Sequence, residues 1–463
     1  MSSLQSPTVQ ALIQEALQHH RAGRLAEAEA GYRQALSLAP GNADGLHLLG
    51  MVAFQSRRNE EAAELIGSAI ALHPAAASYH ANLANVLQAC GRLEEAEASC
   101  RRALALRPEL AEVHLNLGHI LKALGHLDAA LASYRQALAL RSELAEARVA
   151  EATALLLKGD FAAGWPGFEA RWHTRDYDTP LRNYPQHLWR GEPLDGPLLI
   201  WGEQGIGDEI MFAGLVPELA AAGLHCVLDC APRLQPLFAR SFPGVQVTAG
   251  SDSARAAALL DMDIAAHLPS GSLPGLLRTS AAAFAQTRSP YLLADPEQRQ
   301  RFRTKYEDGR LLVGIAWFTK NSKSGRSRSI ELARLAPIFA LPGIQWISLQ
   351  YGDHDTLEAE AADALLTIDR EVDQFTDLDT FAAQVAAMDL VLTIDNSTAH
   401  LAAALGVPTW LLLPCAPDWR WGLTSETTPW YPPMRLFRQS RIGSWEAVLS
   451  RVQCELMQIC SDR

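Results

Sequence analysis

The stretch AAMDLVLTIDNSTAHLAAALG, residues 386–406, carries a leucine-rich, β-branched strand directly into a helix. Its polar centre, Asp395, Asn396, Ser397, Thr398 and His400, therefore falls at a strand's carboxyl end and in a helix's first turn. Free backbone N–H groups, side-chain donors and the positive end of the helix dipole converge at such a junction, which suits an anionic diphosphate. A plain helix cap needs only Asn396 or Ser397, so five polar residues ask for more than a cap.

Working outward, the loop FTKNSKSGRSRS that follows LLVGIAW places Lys320, Lys323, Arg326 and Arg328 on one connection leaving a strand of the same half. Both segments belong at one sheet edge, where cations and helix-end amides together can neutralise a pair of phosphates. The strands PLLIWG, HCVLDC and VQVTAG form one group, and LLVGIAW, IQWISLQ, LLTID, LVLTID and TWLLLP form another. Strands alternating with helices predict parallel sheets, and two groups predict two doubly wound domains joined by the charged helix DPEQRQRFRTKYED. The first group opens with a turn containing Gly202, Gly205 and Gly207, then a helix starting at Asp208. Asp229 ends the next strand as a ribose-binding acid does in a dehydrogenase, but the third glycine of that fingerprint is replaced by Ile210.

Upstream the pattern changes. Pro40, Pro74 and Pro108 lie at a constant spacing; Ala28, Ala62 and Ala96, then Tyr32, Ile66 and Cys100, then Ala35, Ala69 and Ala103 recur in register with them. A fourth unit keeps Gly118, Gly125, Ala130, Tyr134 and Ala137 and has Ser142 where proline is due. Small residues let paired helices approach, the bulky one fills the gap, and proline ends the second helix. This pattern resembles the tetratricopeptide repeat over residues 9–144. A degenerate fifth unit, ALLLKGDFAAGWPGFEARW, keeps Gly159 and Phe168 and adds Trp165 and Trp172, as a docking unit would. The resemblance places Asn82 and Asn116 toward the concave groove, where amides can bond the backbone of an extended peptide; surface amides bonded to water are the alternative.

Composition narrows the rest. The 463-residue chain is 48% apolar and 20% charged, an ordinary globular balance. Its net charge of -12 argues against a nucleic-acid partner. Seven cysteines without paired CxxC spacing support neither a disulfide framework nor a zinc site. The N-terminus lacks a basic region followed by an apolar core, and the run LAAALGVPTWLLLPCAP is broken by Gly406, Pro408 and Pro414. A cytoplasmic protein with no membrane span is the expectation.

VGIAW, the basic loop and DLVLTIDNSTAHLAAALGVP resemble the nucleotide-sugar half of GT-B glycosyltransferases, particularly the heptosyltransferase-like group, across roughly residues 190 to 440. Asn396-Ser397 stands where that group has Thr-Gly. The Gly207-Asp208 turn resembles the turn that opens those enzymes' acceptor half. Repeats followed by such lobes resemble, in architecture, protein O-GlcNAc transferases and repeat-bearing flagellin glycosyltransferases. The resemblance implies a repeat array over 1–172, an acceptor-side Rossmann-like lobe over 173–305, and a nucleotide-sugar lobe with a C-terminal helix over 306–463. It implies metal-independent, inverting transfer from a nucleotide sugar to a protein acceptor such as flagellin, with no cofactor. Asp208 would be the general base, with Gly205, Gly207, Lys320, Arg326, Arg328, Asp395, Asn396, Ser397, Thr398 and His400 around the donor. A non-catalytic scaffold and a sugar-nucleotide epimerase are the competing classes; Asp261 and Asp263, an Asp-x-Asp pair, would fit a metal-dependent enzyme of another layout. The aromatic segment around Trp419, Arg420, Trp421, Trp430 and Tyr431 reads as a cleft-side loop packed on the core. The last helix, with Trp445, Val448, Leu449, Val452 and Leu456 on one face, is expected to brace the first lobe, though a dimer contact would use the same stripe.

Overall fold

The computed structural model describes residues 8–462 except 176, 178, 250–258, 260, 261, 322–324 and 363, and leaves the Arg326 side chain undescribed. Lys323 and Asp261 thus lie outside the described residues. The chain divides into two compact units, Met1–Ala154 and Leu155–Arg463. The division comes earlier than the expected boundary at 172 because the second helix of the degenerate unit, Phe161–Phe168, packs its aromatic face into the second unit. Trp165 Nε1 donates to the Arg278 carbonyl at 2.8 Å, and its ring meets Trp419 edge-on at 5.4 Å.

The first unit is a run of antiparallel helix pairs: Val9–Arg21 with Leu25–Leu38, Ala43–Gln55 with Asn59–Leu72, Ala77–Cys90 with Leu93–Leu106, and Ala111–Ala123 with Leu127–Leu140. Ala28, Ala62, Ala96 and Ala130, with Tyr32, Ile66, Cys100 and Tyr134, are wholly buried, because the small residues set the helix spacing and the larger ones fill it. Burial pushes the Cys100 thiol up to about 12, so this cysteine is an inert packing group. Asn82 Nδ2 lies 2.8 Å from His47 Nε2, and Asn116 Nδ2 donates to Asn85 Oδ1 at 2.8 Å. Each amide bridges the first helices of neighbouring pairs, and both side chains remain half-buried.

The second unit holds two parallel sheets. One contains β1 (His187–Leu188), β2 (Leu198–Trp201), β3 (Cys226–Cys230), β4 (Gln246–Ala249) and β5 (Ala266–Pro269), in the order β1-β5-β2-β3-β4. The other contains β6 (Leu311–Ala316), β7 (Ile344–Ser348), β8 (Leu366–Thr367), β9 (Leu390–Ile394), β10 (Thr409–Leu413) and β11 (Met434–Arg438), in the order β11-β10-β9-β6-β7-β8. Their central strands are buried throughout, as sheets covered on both faces require. The last helix, Glu446–Ser461, corrects one expectation. Trp445, Val448, Leu449, Val452 and Leu456 join the core of the second sheet with Phe339, Trp346 and Phe437, so the helix closes its own lobe rather than bracing the first. Its apolar stripe continues that core directly, which leaves no face for the other lobe.

Candidate functional site

Each sheet reverses its winding at a switch point, and both polar turns leave from there. In the first sheet β2 lies between β5 and β3, and the turn after β2 leads into the helix Ile206–Ala213. In the second, β6 lies between β7 and β9, so the basic loop after β6 and the turn after β9 share an edge. The helix Ser397–Ala404 begins in that turn, with the Asn396 side chain accepting from Ala399 N at 3.2 Å. The two helices meet near their first turns. A Cβ on Gly207 would stand 2.9 Å from His400 Cδ2 and 3.6 Å from Ser397 Cα, so the approach depends on glycine.

A chain of alternating charges spans the two lobes at this point. Arg420 Nη2 bonds Asp208 Oδ1 at 2.6 Å, and its Nη1 lies 2.8 Å from Asp418 Oδ1. Arg328 joins the other side of Asp418 at 3.4 Å and reaches Asp395 Oδ2 at 3.0 Å. Three carboxylates thus face two guanidinium groups. Burial pushes the Asp208 and Asp395 carboxyls upward, and Arg420 and Arg328 respectively oppose that shift. His400 is 4% exposed, and burial, reinforced by Arg420, holds it neutral far below the usual histidine value. Its Nδ1 is 2.9 Å from the Tyr431 hydroxyl, and its ring lies 5.1 Å from Trp421. Among the buried donors with no hydrogen-bond partner among the described residues are Asn396 Nδ2, Arg420 Nε and Trp421 Nε1. Unpaired buried donors are costly, so each is suited to a bound acceptor atom.

The expected residues divide by role. Asp208, Gly207, Arg328, Asp395, Asn396 and Ser397 come together, and Gly205 N–H lies 3.4 Å from Asp208 Oδ2. Thr398 and His400 are buried, and His400 serves as packing between the lobes rather than opening toward solvent. Lys320 is exposed on the loop, anchored through its backbone N–H to Tyr351 Oη at 2.6 Å. Arg326 sits in the short helical turn Gly325–Arg328. Arg328 arrives already engaged by two carboxylates, because Asp418 supplies a counter-charge that the basic loop alone did not reveal. Asp418 and the ion-pairing role of Arg420 were the missed elements; the signal was the pair of opposite charges in PDWRW. Trp419, Trp421, Trp430 and Tyr431 are buried, as expected of a packed segment. Asp229, the acid considered for a ribose, is bonded by Arg182 and by Thr248 Oγ1 at 2.9 Å. Asp263 is exposed before β5, and no group of three metal-ligating side chains occurs among the described residues.

The tetratricopeptide repeat family matches residues 74–143, so the chain carries a protein-interaction scaffold. Protein FlbA of Caulobacter vibrioides is 35% identical over 327 residues, covering 66% of this chain and 54% of FlbA. The chain therefore spans about half the length of that curated relative. The alignment is longer than the first unit, which ends at Ala154, and so extends into the α/β unit. Among solved structures, MamA matches at 20% identity over 34% of this chain and 91% of its own, with a TM-score of 0.32. A thermophilic tetratricopeptide repeat protein of Thermus thermophilus matches at 24% identity over 37% of this chain and 93% of its own, also at 0.32. No helix among the described residues is long and apolar enough to cross a membrane.

Proposed function

We propose that the α/β unit is a GT-B glycosyltransferase that moves a sugar from a nucleotide-sugar donor to a protein recruited by the repeats. The observation that carries this reading is the meeting of the Asp208 turn with the 395–400 turn, bridged by Arg420. An acceptor hydroxyl would give its proton to Asp208 as its oxygen attacks the anomeric carbon. The bond to the nucleoside diphosphate breaks in the same step, with inversion. Arg420 occupies Asp208 Oδ1 at 2.6 Å, so Oδ2, which accepts only a long 3.4 Å contact from Gly205 N–H, would be the oxygen to take the proton. A burial-raised carboxyl is a better base than an exposed one. The departing diphosphate accumulates charge, which the Ser397 helix terminus, Asn396 Nδ2 and the basic loop would stabilise. Flagellin is the acceptor that the architectural resemblance suggests, with Asn82 and Asn116 in the groove that holds it.

The test is thermal stabilisation of the protein by a panel of nucleotide sugars, followed by nucleotide release. The reading expects a raised midpoint with one donor, since a native-state ligand stabilises by mass action, and release that depends on a protein acceptor. No shift with any donor would contradict it. Removal of residues 1–144 is expected to abolish transfer to protein and spare donor binding.

A further inference from the structure

We propose that Arg171 and Glu203 form a positioning pair that fixes the orientation of Asp208; this role rests on the transferase reading above. Arg171 lies in the short helical turn Glu169–His173, just after the degenerate repeat, and its side chain is 2% exposed. Glu203 follows β2 and precedes Asp208 by five positions, with no side-chain exposure. Arg171 Nε and Nη2 each donate to one carboxylate oxygen of Glu203 at 2.9 Å, and Nη2 also reaches Ser272 Oγ at 2.8 Å. Gly271 N–H donates to Glu203 Oε1 at 2.7 Å, and Tyr177 Oη donates to Oε2. Glu203 therefore ties the ends of β2 and β5 to the segment that leads in from the repeats.

The fit is exact enough to exclude one extra carbon, because a Cβ on Gly271 would stand 2.4 Å from Glu203 Oε1. The phenyl ring of Phe168 and the indole of Trp172 flank the guanidinium, with centroids 4.8 and 4.7 Å away. A well-packed apolar pair in such surroundings is often as stable as a buried ion pair, so stability alone gives little reason for charge here. Geometry gives one. Gln204, between Glu203 and Gly205, holds a left-handed φ of 63, and its N–H is caught by Thr179 Oγ1 at 2.7 Å. That conformation is costly for a residue with a side chain and persists only where neighbours impose it. The Arg171–Glu203 clamp and the Thr179 contact impose it immediately before the helix that carries Asp208. Asp208 then presents Oδ1 to Arg420 and keeps Oδ2 toward the helix start.

The experiment compares wild type, Arg171→Met and Arg171→Lys in the full chain, measuring kcat, donor KM and far-ultraviolet circular dichroism. Methionine keeps the bulk and removes all donors, whereas lysine restores the charge and one donor direction. The expected result is a roughly 10- to 100-fold fall in kcat for Arg171→Met, with donor KM unchanged and the fold intact, because small misplacements of reacting groups carry losses of that size. Arg171→Lys is expected to recover part of it. A folded Arg171→Met with wild-type kcat overturns the role, as does a kcat loss matched by an equal rise in donor KM. If Arg171→Met fails to fold, Arg171→Lys with wild-type kcat overturns it equally. An active wild type with full-rate variants thus sinks the positioning role alone, whereas a wild type that transfers no sugar sinks the transferase reading itself.

Discussion

The two lobes each place an acid after a strand at the switch point, β2 in one and β9, next to β6, in the other, with an arginine against it, yet they treat the pair differently. Glu203, after β2, is satisfied by Arg171, the Gly271 amide and Tyr177. Asp395, after β9, has Arg328 at 3.0 Å and the Trp421 indole beside it, and Asn396 Nδ2 in the same turn and Arg420 Nε in the ion chain have no hydrogen-bond partner among the described residues. The acid at the first edge is fully engaged, although Ser270 Oγ beside it has no partner among the described residues; the second edge has more hydrogen-bonding capacity in reserve. A ligand is better served by the second, because a buried donor without a partner gains most from one. In the proposed transfer the first lobe would contribute a rigid base, and the second the charge that receives the leaving group.

This contrast can be broken most severely at its closed end. Glu203→Ala removes two of the bonds to the buried Arg171 guanidinium and leaves it Glu169 Oε1, 2.8 Å from Nη1, as its remaining carboxylate, and denaturant unfolding is expected to show a loss of about 3 kcal/mol. Asp395→Asn, at the open end, should cost less than Glu203→Ala in the same measurement; the reverse order would break the comparison. Next in size is a pH effect in the first lobe. Burial pushes the Glu209 carboxyl from its ordinary range up to about 7, so the folded protein holds a proton that the unfolded chain releases. That contribution to stability is present at low pH and lost as pH rises from about 4.5 through about 7, amounting to about 3 kcal/mol at most. Unfolding of Glu209→Gln at pH 5 and pH 7.5 is expected to show that slope removed.

At the open end, Asn396→Ser keeps a side-chain oxygen able to cap the helix and removes the free Nδ2 donor without adding a charge beside Asp395. Calorimetry is expected to show donor binding weakened by about 1.5–3 kcal/mol, the value of a hydrogen bond to a charged group, with thermal stability little changed. An equal loss of stability would mean that the cap, rather than the spare donor, is what Asn396 supplies. The smallest effect belongs to Gln204→Gly, which relieves the left-handed backbone and gives up the bond from Gln204 Nε2 to Tyr177 Oη at 3.0 Å. The two nearly offset, and stability is expected to move by no more than about 1 kcal/mol.

The repeat positions were legible because each recurs in register and solves the same packing problem each time. Ala28, Tyr32 and Ala35 and their repeats are wholly buried as their spacing implied. The eight strands named from sequence are present in the sheets, while β1, β5 and β11 escaped notice for physical reasons. AHLP ends in proline, HL is two residues long, and MRLFR alternates arginine with apolar residues inside an aromatic stretch. The 395–400 turn was readable because its polar cluster is local. The ion chain was not, since Asp208 and Arg420 are separated by 212 positions and only the closing of two sheets joins them. The docking of Trp165 against Trp419 and Trp430 is non-local in the same way, and it draws the unit boundary back to Ala154.

Asp208 is the proposed base held between the lobes, and its replacement bears most directly on sugar transfer. Asp208→Asn keeps the shape and the contact with Arg420 through its amide oxygen while removing the basic oxygen. With the cognate donor and protein acceptor, kcat is expected to fall about 10²–10⁴-fold, the usual range for a lost general base, while donor affinity measured by calorimetry is retained. Near-normal turnover by Asp208→Asn, with donor bound as in wild type, would contradict it.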